Sequence, residues 1–198
     1  MSRPFLVTDR IRLVPMTTEH LPLLVELDAD PEVMRFILGR ARTEDEVLDH
    51  WRPVCADSAA DAVGLGWWVG FGREADDFLG WWDLSPDHAV PGPPTGPPTR
   101  AEAGWRLARR SWRQGYATEG AVALIDHGFR SVGVDTIWAE TMAVNQPSRG
   151  VMVKLGMRHV RTEHRAWDRP IAGAEQGEVV YEITREEWMR REASTDQP

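Results

Sequence analysis

Two short stretches of the chain combine residue types that could hold a phosphate-bearing ligand. The first is Trp112-Arg113-Gln114-Gly115-Tyr116-Ala117-Thr118. It lies between a strand-like segment, 102–109, and an apolar-periodic segment that predicts a helix from about Thr118 to Arg130. A helix start leaves N–H groups unpaired and carries partial positive charge. Gly115 and Ala117 add little bulk, so a phosphate could approach the backbone closely, and Arg113 adds a full charge. The same residues also read as an ordinary strand-to-helix loop with a small-residue cap. The second stretch is Asn145-x-x-Ser148, again after a strand pattern and at the start of a helix pattern. Simple capping by Asn145 or Ser148 accounts for it equally well. Two such turns in one domain point to a cleft for a phosphate-bearing cofactor.

The elements that would position these turns follow from periodicity. Residues 10–16 alternate arginine with apolar residues, as a half-buried strand does. A helix is expected over about Thr18 to Asp28, then a short helical turn after Asp30-Pro31. Thr43-x-x-Glu46 is a capping box opening a helix stopped or bent near Pro53. The runs 65–71 and 78–84 predict an antiparallel hairpin. Residues 91–98, PGPPTGPP, hold five prolines and predict a loop that neither a helix nor an inner strand could accommodate. Strands are further expected over 134–144, 157–167 and 178–184, with a helix from Asn145 to Gly156 and a final one over 185–191. The pattern predicts one α/β (α+β) domain over 1–198, with helices packed on a largely antiparallel sheet of about six or seven strands.

Composition removes several functions. The chain has 198 residues, with 23 basic and 31 acidic side chains and a net charge of −8. That opposes general nucleic-acid binding, which needs a basic face to displace counterions. The longest apolar run, 63–71, is too short and too glycine-broken to span a bilayer, and the opening residues lack the apolar stretch of a signal peptide. The expectation is a cytoplasmic protein with no membrane partner. A single cysteine, Cys55, permits no internal disulfide and is expected to be a small buried hydrophobe. The one lysine, Lys154, lies outside any Gly-Lys-Ser/Thr motif, so a P-loop is absent. Gly64, Gly66 and Gly70 fail the dinucleotide fingerprint in spacing and in context. The six histidines show no paired ligand spacing, so no metal is expected. Ten tryptophans read mostly as core or cleft walls; a sugar or nucleic-acid platform would require an exposed aromatic row.

The run EAGWRLARRSWRQGYATEGAVALIDHGF, followed by IWAETMAVNQPSRGVMVKLGMRHV, resembles the GNAT superfamily of N-acetyltransferases. It is most similar to the branch containing the ribosomal-protein N-terminal acetyltransferases, which acetylate alanine or serine. The opening TDRIRLVPMTTEHLPLLVEL and the ending EVVYEITREEW resemble this branch too, so the likeness spans nearly the whole chain. Trp112 stands where the family loop usually has Gln or Arg, and the tyrosine many members carry early in the second helix is missing.

The resemblance implies a GNAT-like sheet with helices on both faces, and acetyl-CoA as co-substrate without metal. It implies that Arg113, Gln114, Gly115, Tyr116, Ala117 and Thr118 bind the pyrophosphate. The free strand edge at Leu107, Ala108 and Arg109 would pair with the pantetheine amides. Asn145 would hold the pantetheine by its side-chain amide. Backbone N–H groups near Leu107 would stabilise the oxyanion as a neutral amine attacks the thioester. Ser148 would face the leaving sulfur, and Glu102 or Glu140 would take the ammonium proton, directly or through water. Either carboxylate also reads as a solvated strand residue. The implied acceptor is a protein N-terminus or a small cationic amine, and a homodimer is the implied assembly. A catalytically silent acyl-CoA-binding sensor of the same fold is the alternative.

Overall fold

The computed structural model describes residues 3–57, 60–87 and 98–195. Its eight strands are β1 (Leu6–Val7), β2 (Ile11–Pro15), β3 (Gly66–Gly72), β4 (Phe78–Pro86), β5 (Arg100–Leu107), β6 (Thr136–Met142), β7 (Arg158–Glu163) and β8 (Glu178–Thr184). They form one sheet in the order β1-β2-β3-β4-β5-β6-β8-β7. Every pairing is antiparallel except β5 with β6. The strand beyond the expected seven is β1, two residues long, too short to show any period. The proline-rich loop expected over 91–98 lies, apart from Pro98, outside the described residues.

Helices cover both faces. On one lie α1 (Leu21–Asp28) and α2 (Glu44–Ala56). Leu24, Leu27, Val47 and Trp51 are buried there against Val69, Phe78 and Trp81. On the other lie α3 (Tyr116–His127), α4 (Gln146–Lys154) and α5 (Arg185–Thr195). Leu124, Ile125, Met152 and Trp188 join Trp68, Trp82, Leu84 and Ile137 in a second core. The predicted capping box forms: Thr43 Oγ1 accepts from the Glu46 N–H and Glu46 accepts from the Thr43 N–H. Pro53 does not stop α2, which runs one turn further. The helical turn expected after Pro31 is instead a series of turns over 31–38. Cys55 is half-buried rather than buried: it packs against the cluster of Val47 and Trp51 from the last turn of α2, at the edge of that core.

Among the described residues five tryptophans (51, 68, 81, 82 and 188) are buried and Trp112 is the only exposed one, with no exposed aromatic row of the kind a sugar or nucleic-acid platform requires.

The parallel junction of β5 and β6 positions the site. Their ladder holds only from Arg100↔Thr136 to Glu102↔Trp138, after which the strands part. β5 stays paired with β4 up to Gly80↔Leu107. Alternation along β5 decides which way its backbone points. The Arg100 carbonyl and the Ala108 N–H both bond toward β4, to Asp87 and Leu79. The odd-numbered residues Ala103, Trp105 and Leu107 therefore turn their N–H groups toward the gap.

Candidate active site

A cleft of about 2170 Å³ runs through this gap. One end is the turn before α3. Arg113 and Gly115 both have positive φ, +59° and +86°. Two left-handed residues flanking Gln114 curl the backbone into a concavity suited to an anion. Gly115 takes that conformation at no steric cost, whereas Arg113 bears strain there. No side chain caps α3, so its first-turn N–H groups face the concavity. The turn is braced by the residue just before β2: Arg10 donates to the Gln114 carbonyl (2.9 Å), pairs with Glu119 (2.6 Å) and lies over the Tyr116 ring. The helix begins two residues before the expected Thr118, so 113–115 form the turn and 116–118 the first turn of α3 that completes the concavity.

Next along the cleft stand Leu107, Asn145 and Ser148. Asn145 caps α4: its Oδ1 accepts from the Ser148 N–H (3.3 Å), and its Nδ2 donates to Thr141 Oγ1 (2.9 Å). Its amide is thus engaged within the protein, as the simple capping reading required, and only part of its bonding capacity faces a ligand. The Leu107 carbonyl accepts from Trp112 Nε1 (2.8 Å). A pantetheine amide would then find the Leu107 N–H but not a free carbonyl there. That bond also gives a physical reason for tryptophan at the first position of the turn: it ties the turn to the end of β5.

The structure brings together Glu102, Leu107, Arg113, Gly115, Tyr116, Ala117, Thr118, Glu140, Asn145 and Ser148 on one cleft. Three expected binding residues stand off it. The Ala108 N–H is used by Leu79 (2.9 Å). Arg109 is exposed, 3.4 Å from Asp30. Gln114 donates its side-chain N–H to the Arg110 carbonyl (2.7 Å).

The far end is a carboxyl wall. Asp83 of β4 and Glu102 of β5 share a face, with Asp83 opposite Gly104 and Glu102 opposite Ser85. The Asp83 carboxyl fills the space any side chain at position 104 would need, and it accepts from Ser85 Oγ (3.0 Å). Burial pushes Asp83 up to about 8, and the nearby Glu102 adds to this; Ser85 and Arg106 pull the other way. Burial pushes Glu102 up to about 7, helped by Glu140 and Asp87 and opposed by Arg165. A carboxyl near neutrality is suited to take a proton at physiological pH. Glu140 is committed elsewhere: Arg165 grips it with two bonds (2.8 and 2.6 Å) while also pairing with Glu163 and Glu178. That pairing sets Glu140 apart from Glu102, which burial pushes up to about 7.

Sequence reasoning missed Asp83 and the charged floor beside it. Asp28, fully buried, bridges Arg106 (2.6 Å), Arg42 (3.0 Å) and Trp51 Nε1 (3.2 Å). The signal for Asp83 was present in FLGWWDL, where one acid interrupts an apolar strand; a buried polar residue is the informative kind. Among the described residues no group of three or more His, Cys, Asp or Glu side chains could hold a metal ion.

Residues 10–158 match the acetyltransferase (GNAT) domain family. The chain is 42% identical over 192 residues to the Aspergillus fumigatus protein named FsC-acetyl coenzyme A-N(2)-transacetylase, covering 96% of this chain and 80% of that one. Among solved structures, a GNAT-family acetyltransferase from Bacillus anthracis superposes with a TM-score of 0.75 at 21% identity, covering 93% of this chain and all of that one. Spermidine N-acetyltransferase from Vibrio cholerae, solved with CoA and spermine, gives 0.71 at 14% identity, covering 92% and 99%. The two solved structures share the fold; the family match and the fungal relative carry the assignment, and this chain belongs to the GNAT family of acetyl-CoA-dependent acetyltransferases.

Proposed function

We propose that the chain transfers the acetyl group of acetyl-CoA directly to a primary amine held in the β5–β6 cleft. The observation that carries this reading is the junction itself: one continuous cleft joins an anion-binding turn, a strand edge and a carboxyl wall. In this reading the concavity at 113–118 takes the pyrophosphate, with Arg113 adding charge. The pantetheine arm adds along the β5 edge. The amine arrives as an ammonium and gives its proton to Glu102 before attack. The Leu107 N–H supports the oxyanion, and Ser148 offers a hydrogen bond to the departing thiolate. Glu102 is neutralised by the first proton; after attack the adduct collapses with cleavage of the C–S bond, and the second proton of the nitrogen passes to the departing thiolate.

Both a protein N-terminus and a small amine fit a cleft with this chemistry. We favour the small amine, because the 42%-identical relative is named FsC-acetyl coenzyme A-N(2)-transacetylase, a name without mention of a protein N-terminus. The ribosomal-protein branch is the second reading, resting on the sequence resemblance alone. We further propose that residues 1–198 act as one domain, as a homodimer in the cytoplasm. Among the described residues no helix is long and apolar enough to cross a membrane. Mixing the protein with acetyl-CoA and a panel of amines and peptides, with detection of free thiol and of the acetylated product, tests the reading. Equal thiol release with and without amine would contradict it.

A further inference from the structure

The cleft has two sides of opposite chemistry. Around the β5–β6 junction it presents Asp83, Glu102, Glu140 and Glu178. Toward α2 and the turns at 31–38 it presents Val33, Phe36, Ile37, Val54, Trp67 and Trp81. The tryptophans on this side are rigidly stacked. Trp67 meets Trp51 and Trp81 edge to face, with centroids 5.0 and 4.8 Å apart, and Trp51 meets Trp81 at 5.5 Å. Trp51 and Trp81 are buried, whereas Trp67, Phe36, Ile37 and Val54 are only half-buried and leave apolar surface facing the cleft.

The charges on this side point the same way. Its cationic side chains are Arg3, Arg35 and Arg106, against Glu32 and Asp57. Arg106 is tied to Asp28, and Arg35 lies 4.0 Å from Glu32. A diamine or polyamine bound with one nitrogen at Glu102 would lay its second cation against aromatic and aliphatic surface, where three arginines compete for Glu32 and Asp57 and the hydration it loses is offset only in part. An apolar body would instead exchange water for close contact with the Trp67 face.

We infer that the acceptor is an amphipathic monoamine, with its amine against Glu102 and Asp83 and an apolar, preferably aromatic, body against Trp67, Phe36 and Val54. This rests on the reading of the cleft as the site of acetyl transfer, and it narrows that reading to a class of amine.

The test compares 2-phenylethylamine with 1,4-diaminobutane. kcat/KM is measured for each, and binding of each is titrated by calorimetry to the protein alone and to its CoA complex. The ratio of kcat/KM should favour 2-phenylethylamine by about ten- to a hundredfold, the factor that burying one aromatic group is worth. Trp67→Ala should cut that ratio at least about fivefold. Phe36→Ala, on a half-exposed turn that carries no sheet pairing, should cut it too and guards against a folding failure at Trp67. A ratio near or below one, a ratio that neither variant moves, or equal or undetectable binding of both amines would overturn the inference. Absence of coenzyme binding or of turnover would count against acetyl transfer instead, because the calorimetric preference on the protein alone still reads the amine subsite.

Discussion

Asp83→Asn should make the protein more stable than the wild type by a margin that grows with pH. Asp83 is only 5% exposed, and the nearest guanidinium, Arg106, is already paired with Asp28 at 2.6 Å. A carboxylate buried without its own cation is costly, so the proton stays on, and the carboxyl is pushed up from 3.8 to about 8. A carboxyl raised on folding contributes stability that is fully present below its unfolded value and is lost as pH rises through its folded value. In that window the unfolded chain has released a proton that the folded chain still holds, and stability falls by about 1.4 kcal/mol per pH unit. Between about pH 6 and about pH 8 the wild type should therefore lose about 2 kcal/mol relative to the variant, whose amide does not titrate. In a chain of this size that is a Tm difference widening by roughly 4–8 °C. Thermal melts of both proteins across the range measure it, and repeating the comparison in a Glu102→Gln background removes the carboxyl that is coupled to Asp83. A Tm difference that stays constant from about pH 6 to about pH 8 would refute the reasoning, since it would mean that Asp83 is ionised throughout.

Other outcomes follow from the same geometry. Gly115→Glu should abolish acetyl-CoA binding in a folded protein, because it strains a φ of +86° and puts negative charge in the anion concavity; calorimetry with CoA checks it. Glu102→Gln should lower kcat by about a hundredfold or more and remove the rise in rate centred near pH 7, while Glu140→Gln should keep that rise; pH–rate profiles separate the two. Ser148→Ala should lower kcat with little change in coenzyme affinity, because its backbone N–H, not its hydroxyl, makes the Asn145 cap. Asp28→Ala should cost about 3–5 kcal/mol of stability by stranding Arg42 and Arg106 without their shared carboxylate, read as a fall in denaturant midpoint.

What the sequence made legible was local. The 112–118 turn, the Thr43 box and the Asn145 cap each depend on residues within one turn of the chain, so residue type and spacing carry them. The strand and helix order emerged from periodicity, with errors where short-range signals compete. Pro53 is tolerated in the last turn of α2, and the two-residue β1 has no period to detect. The site's electrostatics were not legible, because they depend on register. Asp83 faces Glu102's neighbourhood only through the pairing of β4 with β5, and Arg106 reaches Asp28 across 78 positions. The same applies to Leu107 and Ala108. They are adjacent in sequence, yet alternation sends the N–H of one to the cleft and of the other to Leu79. Glu102 and Glu140 looked equivalent as strand carboxylates until Arg165, itself outside any expected motif, closed on one of them.

The central claim is that a single cleft binds acetyl-CoA and passes its acetyl group to an amine. It is tested most directly by following thiol release and N-acetyl product together, by absorbance and mass spectrometry, with 2-phenylethylamine as acceptor from about pH 6 to about pH 9. One thiol should be released per amine acetylated, at a rate that rises with a midpoint near 7 as Glu102 loses its proton. Tight coenzyme binding with no amine-dependent thiol release at any pH, with this or any amine or peptide of the panel, would contradict it and leave a silent acyl-CoA-binding module.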